Sequence, residues 1–146
     1  MRATPWAALA GVLALCAPLS HAADGAALYA QHCATCHQAD GSGTVGLAPP
    51  LKGEHWQRLG ADRSYLAQVI THGLSGLIVV NGQRFVGSMP AFAGQLNDEQ
   101  LAAIATHLLS LQERPGPAYS AADLAAARSS AGSPPQSRAL RMQLLK

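Results

Sequence analysis

The chain has 146 residues, 49% of them apolar, 12% charged and only 5% aromatic, with a formal charge of +2 at pH 7. No basic stripe accompanies that small charge, which excludes a nucleic-acid-binding surface. The opening segment, 1–22, has the pattern of an export signal: Arg2 at a positive start, 11 apolar residues from Ala7 to Ala17, and a small-x-small site at Ser20-His21-Ala22. That run is shorter than the ~20 apolar residues a spanning helix requires. Beyond Gln112 the composition shifts to Ala, Ser, Pro and Arg, which predicts a basic tail over 113–146 that is mostly disordered. A folded domain is therefore expected over 23–112, a length at which a core made only of side chains is marginal. Its aromatic residues are Tyr29, Trp56, Tyr65, Phe85 and Phe92, so something besides aromatic side chains is expected to fill the core.

Charge is unevenly divided. Residues 23–112 carry four bases against six acids, a balance of −2, and residues 113–146 carry five against two, a balance of +3.

In chain order, Asp24 is placed to cap a short helix through Leu28, Tyr29 and His32. A loop with Gly41, Gly43 and Gly46 follows and leads to Ala48-Pro49-Pro50-Leu51. Asp62 opens a second helix, with Tyr65, Leu66, Val69 and Ile70 on one face and Gly73 as its stop. Leu77 to Val80 and Arg84 to Val86 flank Asn81-Gly82, the pattern of a small hairpin closed by a type I′ turn. Asn97 and Gln100 form the capping pair of a last core helix, whose buried stripe is predicted as Leu101, Ile104, Ala105, Leu108 and Leu111. In the tail, Ser120 is placed to cap one short helix near Leu124.

The cysteines carry the chemistry. Cys16 lies inside the expected signal, which leaves Cys33 and Cys36 with His37 directly after them. C-x-x-C-H is the attachment pattern of c-type haem: two thiols one helical turn apart each add to a vinyl group of one porphyrin, and the adjacent imidazole lies under the iron. A disulfide, a thiol redox pair and half of a zinc site are the competing readings. None of them needs His37 at that place, and zinc would need two further ligands at short spacing. The sixth iron ligand is assigned to Met89, 52 residues after His37, in a Gly87-Ser88-Met89-Pro90 loop between the hairpin and the last helix. A thioether is a soft ligand that favours Fe(II). Met142 is the other methionine of the mature chain. His32 is read as solvent-facing, His55 as a loop residue, His72 as a cation at a helix C-terminus, and His107 as packed rather than ligating.

Cys33-Ala34-Thr35-Cys36-His37, Pro49-Pro50-Leu51, His72-Gly73 and Met89-Pro90-Ala91-Phe92 followed by Leu96-Asn97-Asp98-Glu99-Gln100 resemble the class I monohaem c-type cytochromes over about residues 24–111. The resemblance implies an all-α, cytochrome c-like fold wrapped round one haem c, with the small hairpin before the Met-ligand loop. It implies that the helices near Tyr29 and Leu108 cross, and that a proline carbonyl, with Pro49 favoured over Pro50, receives the second nitrogen of His37. Leu51 and Trp56 are expected beside the cofactor. Where the family usually carries an aromatic, this chain has His107. The implied function is one-electron transfer in the periplasm, without enzymatic chemistry, between exported partners of the dehydrogenase, nitrite reductase or terminal oxidase type. The alternative is a haem enzyme or gas sensor with an open or displaceable sixth site. A third reading makes the tail a docking segment for a larger enzyme, with weak membrane contact through 138–146.

Overall fold

The computed structural model describes residues 23–114 and 116–146; the expected signal segment lies outside them. Asp24 caps helix α1 (Gly25–His32), its Oδ1 accepting from the N–H groups of Ala26 and Ala27 at 3.0 and 3.2 Å. The backbone turns at Cys33 into the single-turn helix α2 (Ala34–His37). After the glycine- and proline-rich loop come α3 (His55–Leu59) and α4 (Arg63–His72). Asp62 caps α4 through Ser64, and Gly73, at φ +78°, ends it. The sequence reading contained neither α2 nor α3, both too short to show a period.

Strands β1 (Leu74–Val80) and β2 (Gln83–Met89) form a two-stranded antiparallel sheet. Asn81 and Gly82 both have positive φ, as a type I′ turn demands. The expectation of an all-α fold is corrected to that extent. Met89 is corrected too: it is the last residue of β2, paired with Leu74, rather than part of a free loop. The strands run longer than the apolar segments because the ladder continues through the polar and glycine residues Ser75, Gly76, Gly87 and Ser88. Alternation along the hairpin buries Ile78, Val80 and Phe85 and leaves Val79 and Val86 outside, 53% and 69% exposed.

Helix α5 (Asp98–Leu111) begins at Asn97, which exchanges hydrogen bonds with Gln100 in a capping box. Leu101, Ile104, Ala105 and Leu108 are buried, and Leu111 is half-buried. α1 crosses α5 where Gly25 meets the carbonyl of Ala103, so close that a side chain on Gly25 would press on backbone. His107 supplies the ring at this crossing, with its centroid 5.2 Å from that of Tyr29.

The predicted disordered tail is instead folded. α6 (Ala121–Ser129) and α7 (Pro134–Leu144) pack on α4, α5 and β1. Alanine is the best helix former, Ser120 and Asp123 make a second capping box, and Pro134-Pro135 at the first positions of α7 suit a helix start. A composition poor in large apolar residues concealed how few contacts docking needs. Leu124 is fully buried, and Leu140, Leu144 and Leu145 lie against the main core. Within the end segment 138–146, three leucines are thus engaged with the fold, while Met142 is 55% exposed.

The arginines act in the same way. Arg128 pairs with Asp98 at 2.8 Å and donates to the carbonyls of Ala93 and Leu96. Arg114 donates to Gly60 O at 2.8 Å. Arg63 donates to the Pro117 and Ala118 carbonyls and stacks 4.0 Å from the Tyr119 ring centre. The charge contrast between domain and tail is in part satisfied within the molecule. Replacing Leu124 by Ala should therefore lower unfolding free energy by about 2–4 kcal/mol in denaturant titration, the cost of a cavity at a fully buried leucine; a loss below about 0.5 kcal/mol, the size of an ordinary surface change, would show α6 to be undocked.

Candidate cofactor cleft

The segment Cys33 to His37 is held by the end of α1 and the turn of α2. The N–H groups of Cys36 and His37 both donate to Cys33 O, at 3.2 and 2.9 Å. Neither cysteine is in a disulfide; Cys33 is half-buried and Cys36 exposed. Burial, with Cys36 beside it, pushes the Cys33 thiol up to about 11, so it stays protonated at neutral pH. Burial also lowers the pKa of His37, favouring the neutral imidazole that a metal requires.

The loop over 38–51 is tied to this segment at several points. Gly43 N donates to His37 O and Thr44 Oγ1 to Cys36 O, and within the loop itself Leu51 N donates to Gly41 O. Thr44 and Ala48 exchange a pair of backbone bonds, both 2.9 Å. From beneath, Tyr29 donates its hydroxyl to Gln38 O at 2.7 Å; burial holds that phenol near 12 and keeps its proton in place. The result is that Pro49 O lies 2.9 Å from His37 Nδ1. The carbonyl can only accept, so Nδ1 carries the proton and Nε2 keeps its lone pair.

His37 lines a cleft of about 1160 Å³, a volume that includes open solvent. Cys33, Cys36, His37, Pro49, Pro50, Leu51, Trp56 and Met89 all line it, so the eight residues singled out from the sequence share one wall-to-wall site. Trp56 is fixed there by donating Nε1 to Pro50 O at 3.2 Å and by packing its ring 5.9 Å from that of Tyr65. Tyr65, Leu66, Val69 and Ile70, read from the sequence as one face of the second helix, form a side of the cleft with Ile78 and Phe85 of the hairpin. His32 is half-buried, its ring edge-on to Phe92 at 6.2 Å, and it lines the cleft rather than facing solvent.

The other histidines turn elsewhere. His72 Nε2 donates to Ala127 O at 2.8 Å, and His55 lies in α3 with Nε2 3.2 Å from Pro50 O. Arg141 is a cleft residue that sequence reasoning missed, since nothing in the tail's composition places it there.

The donor set fits an iron porphyrin. One imidazole nitrogen with a fixed tautomer, one thioether and two free thiols line a largely apolar hollow. Among the described residues, no three His, Cys, Asp or Glu side chains cluster as a metal site of their own.

Residues 20–108 match the family model described as cytochrome c oxidase, cbb3-type, subunit III. The chain is 47% identical over 88 residues to a cytochrome c-552 of Thermus thermophilus, an alignment covering 59% of this chain and 66% of that protein. It is 32% identical over 91 residues to the cytochrome c6 of Microcystis aeruginosa, covering 62% of this chain and 98% of that one. A third relative is the gluconate 2-dehydrogenase cytochrome c subunit of Pantoea cypripedii, 39% identical over 82 residues, or 55% of this chain and 18% of that one. The chain therefore belongs to the c-type cytochromes, of the class I kind with one haem c, and Cys33 and Cys36 stand at the spacing that covalent attachment needs. The matched stretch is just under two thirds of the length of the cytochrome c-552.

Gly43 is the hinge of this arrangement, at φ +77° and with the Ala48 carbonyl 2.6 Å from where a Cβ would stand. Gly43→Ala should cost about 1–3 kcal/mol and speed exchange of the His37 Nδ1 proton in NMR of the holoprotein. An unchanged exchange rate would mean that Pro49 is anchored without this loop.

Proposed function

We propose that the protein is an exported, periplasmic carrier of single electrons, working through one haem c attached at Cys33 and Cys36 with His37 and Met89 as its two axial ligands. The observation that carries this reading is the placement of His37 and Met89 in one cleft beside both thiols. Bound there, the group supplies a one-electron Fe(III)/Fe(II) couple. The chain's own part is to hold and shield it. Pro49 fixes the orientation of the His37 ring and raises its basicity as a ligand. β2, paired along its length with β1, presents Met89 at its last position, where Gly73 packs against the Met89 carbonyl. With His37 and Met89 both holding the iron, no ligand position would be left for oxygen or peroxide, which favours a carrier over an enzyme or gas sensor. Leu66, Val69, Ile70, Ile78 and Phe85 give the cleft an apolar wall, and shielding of this kind raises the reduction potential.

The c-552 and c6 relatives support a carrier role, and the dehydrogenase subunit among the relatives supports a protein redox partner. Among the described residues no helix is long and apolar enough to cross a membrane.

The reading is tested on purified holoprotein. Expected are covalent haem at one per chain, a single one-electron wave, and a low-spin ferric spectrum with the weak far-red band of sulfur-ligated haem. Met89→Ala should abolish that band, lower the midpoint potential and admit exogenous imidazole. A high-spin wild-type spectrum, or a Met89→Ala protein with the parental band, would overturn the assignment of Met89.

A further inference from the structure

Among the described residues, Arg141 is a buried cation with no anion paired to it. Its side chain reaches from α7 into the cleft, with 4% of the residue exposed. Nη1 donates to the Tyr65 hydroxyl at 3.3 Å, while Nη2 is buried with no acceptor. No ion pair among the described residues includes Arg141. A guanidinium cannot shed its proton in a protein and carries five donors. Burying one with a single phenol as partner is unfavourable unless a negative group completes the site.

The surroundings narrow what that group is. Tyr65 is in ring contact with Trp56, and Trp56 is bonded to Pro50, so Arg141 stands at the Pro50–Trp56–Tyr65 side of the cofactor cleft. The other ionisable neighbour is His55 of α3, whose pKa is lowered by burial first and by the Arg141 charge second; it too offers no negative charge. Haem brings two propionate carboxylates, and a planar guanidinium fork matches a carboxylate.

Resting on the reading that the cleft holds haem c, we propose that Arg141 is the receptor for a haem propionate, delivered by the C-terminal helix α7. This gives the tail a part in the site. α7 lies beyond the 20–108 stretch that the family model covers, so the site borrows a residue from outside the shared domain. The helix is held independently by Leu140 and Leu144 against the core and by Arg58 donating to Leu145 O at 3.0 Å, which presents the guanidinium in a fixed place.

The test uses the haem-loaded full chain with Arg141→Leu and Arg141→Lys, measured at one fixed pH. Removing a buried positive charge beside the haem favours Fe(III), so Arg141→Leu should lower the midpoint potential, and Arg141→Lys should recover most of the shift. Redox-difference infrared spectra with 13C-labelled haem carboxyls should show a carboxylate stretch that moves between wild type and Arg141→Lys. This second measurement stands even if Arg141→Leu does not fold. Wild-type potential in both variants, or an unmoved carboxylate stretch in Arg141→Lys, overturns the proposal alone. A wild-type protein without covalent haem overturns the underlying reading, and this proposal with it.

Discussion

The hydrogen bond from His37 Nδ1 to Pro49 O is the constraint around which the site is arranged. It fixes which ring nitrogen is free, and through that the direction from which a metal is met. To place a proline carbonyl there, the chain makes a tight excursion over 38–51, with positive φ at Gln38, Gly41, Gly43 and Gly46. Thr44 and Tyr29 fasten the excursion to the cysteine segment from two sides. Tyr29 in turn is held by the crossing of α1 on α5, where His107 packs on its ring. The geometry of one imidazole thus depends on contacts between residues far apart in the sequence.

The C-terminal extension uses the same economy of means with different chemistry. Its few leucines would not make a domain core, and its docking is supplemented by arginines that satisfy carbonyl groups left over at turns and helix ends. Arg114 reaches Gly60 O, and Arg128 reaches the carbonyls of Ala93 and Leu96 just ahead of α5. Charge-assisted bonds of this kind are stronger than neutral ones. Basic residues that look on paper like a solvated or partner-seeking tail are largely engaged inside the fold.

What was legible in the sequence is what local chemistry enforces. Cys33, Cys36 and His37 are a contiguous pattern; Asp24, Asp62 and Asn97 are caps whose side chains reach only two or three residues ahead; Asn81-Gly82 is a turn with one favoured conformation. Pro49 could be singled out because the family resemblance implies a proline carbonyl at His37 and counting along the loop favours Pro49 over Pro50. The tail was not legible because composition averages away position: Leu124 matters because α6 lands on both α4 and α5, and Arg141 because it meets Tyr65, 76 positions earlier. Met89 was assigned to the cleft by motif, yet its backbone setting was missed, since pairing across Gly76 and Gly87 leaves no apolar alternation to read. α2 and α3, at 4 and 5 residues, span little more than one helical turn, so no period repeats in them.

The close contact of Gly25 with Ala103 also bears on the order in which the molecule is built. The two are 78 positions apart, so joining α1 to α5 closes a loop whose length-dependent entropy is about 4 kcal/mol. α1 has no other long partner helix until α5 has been synthesised. Until that contact forms, the cysteine segment that follows α1 lacks the crossing that holds α1 against the last core helix. The cost of bringing α1 onto α5 is thus set by topology and not by the local stability of the cysteine motif.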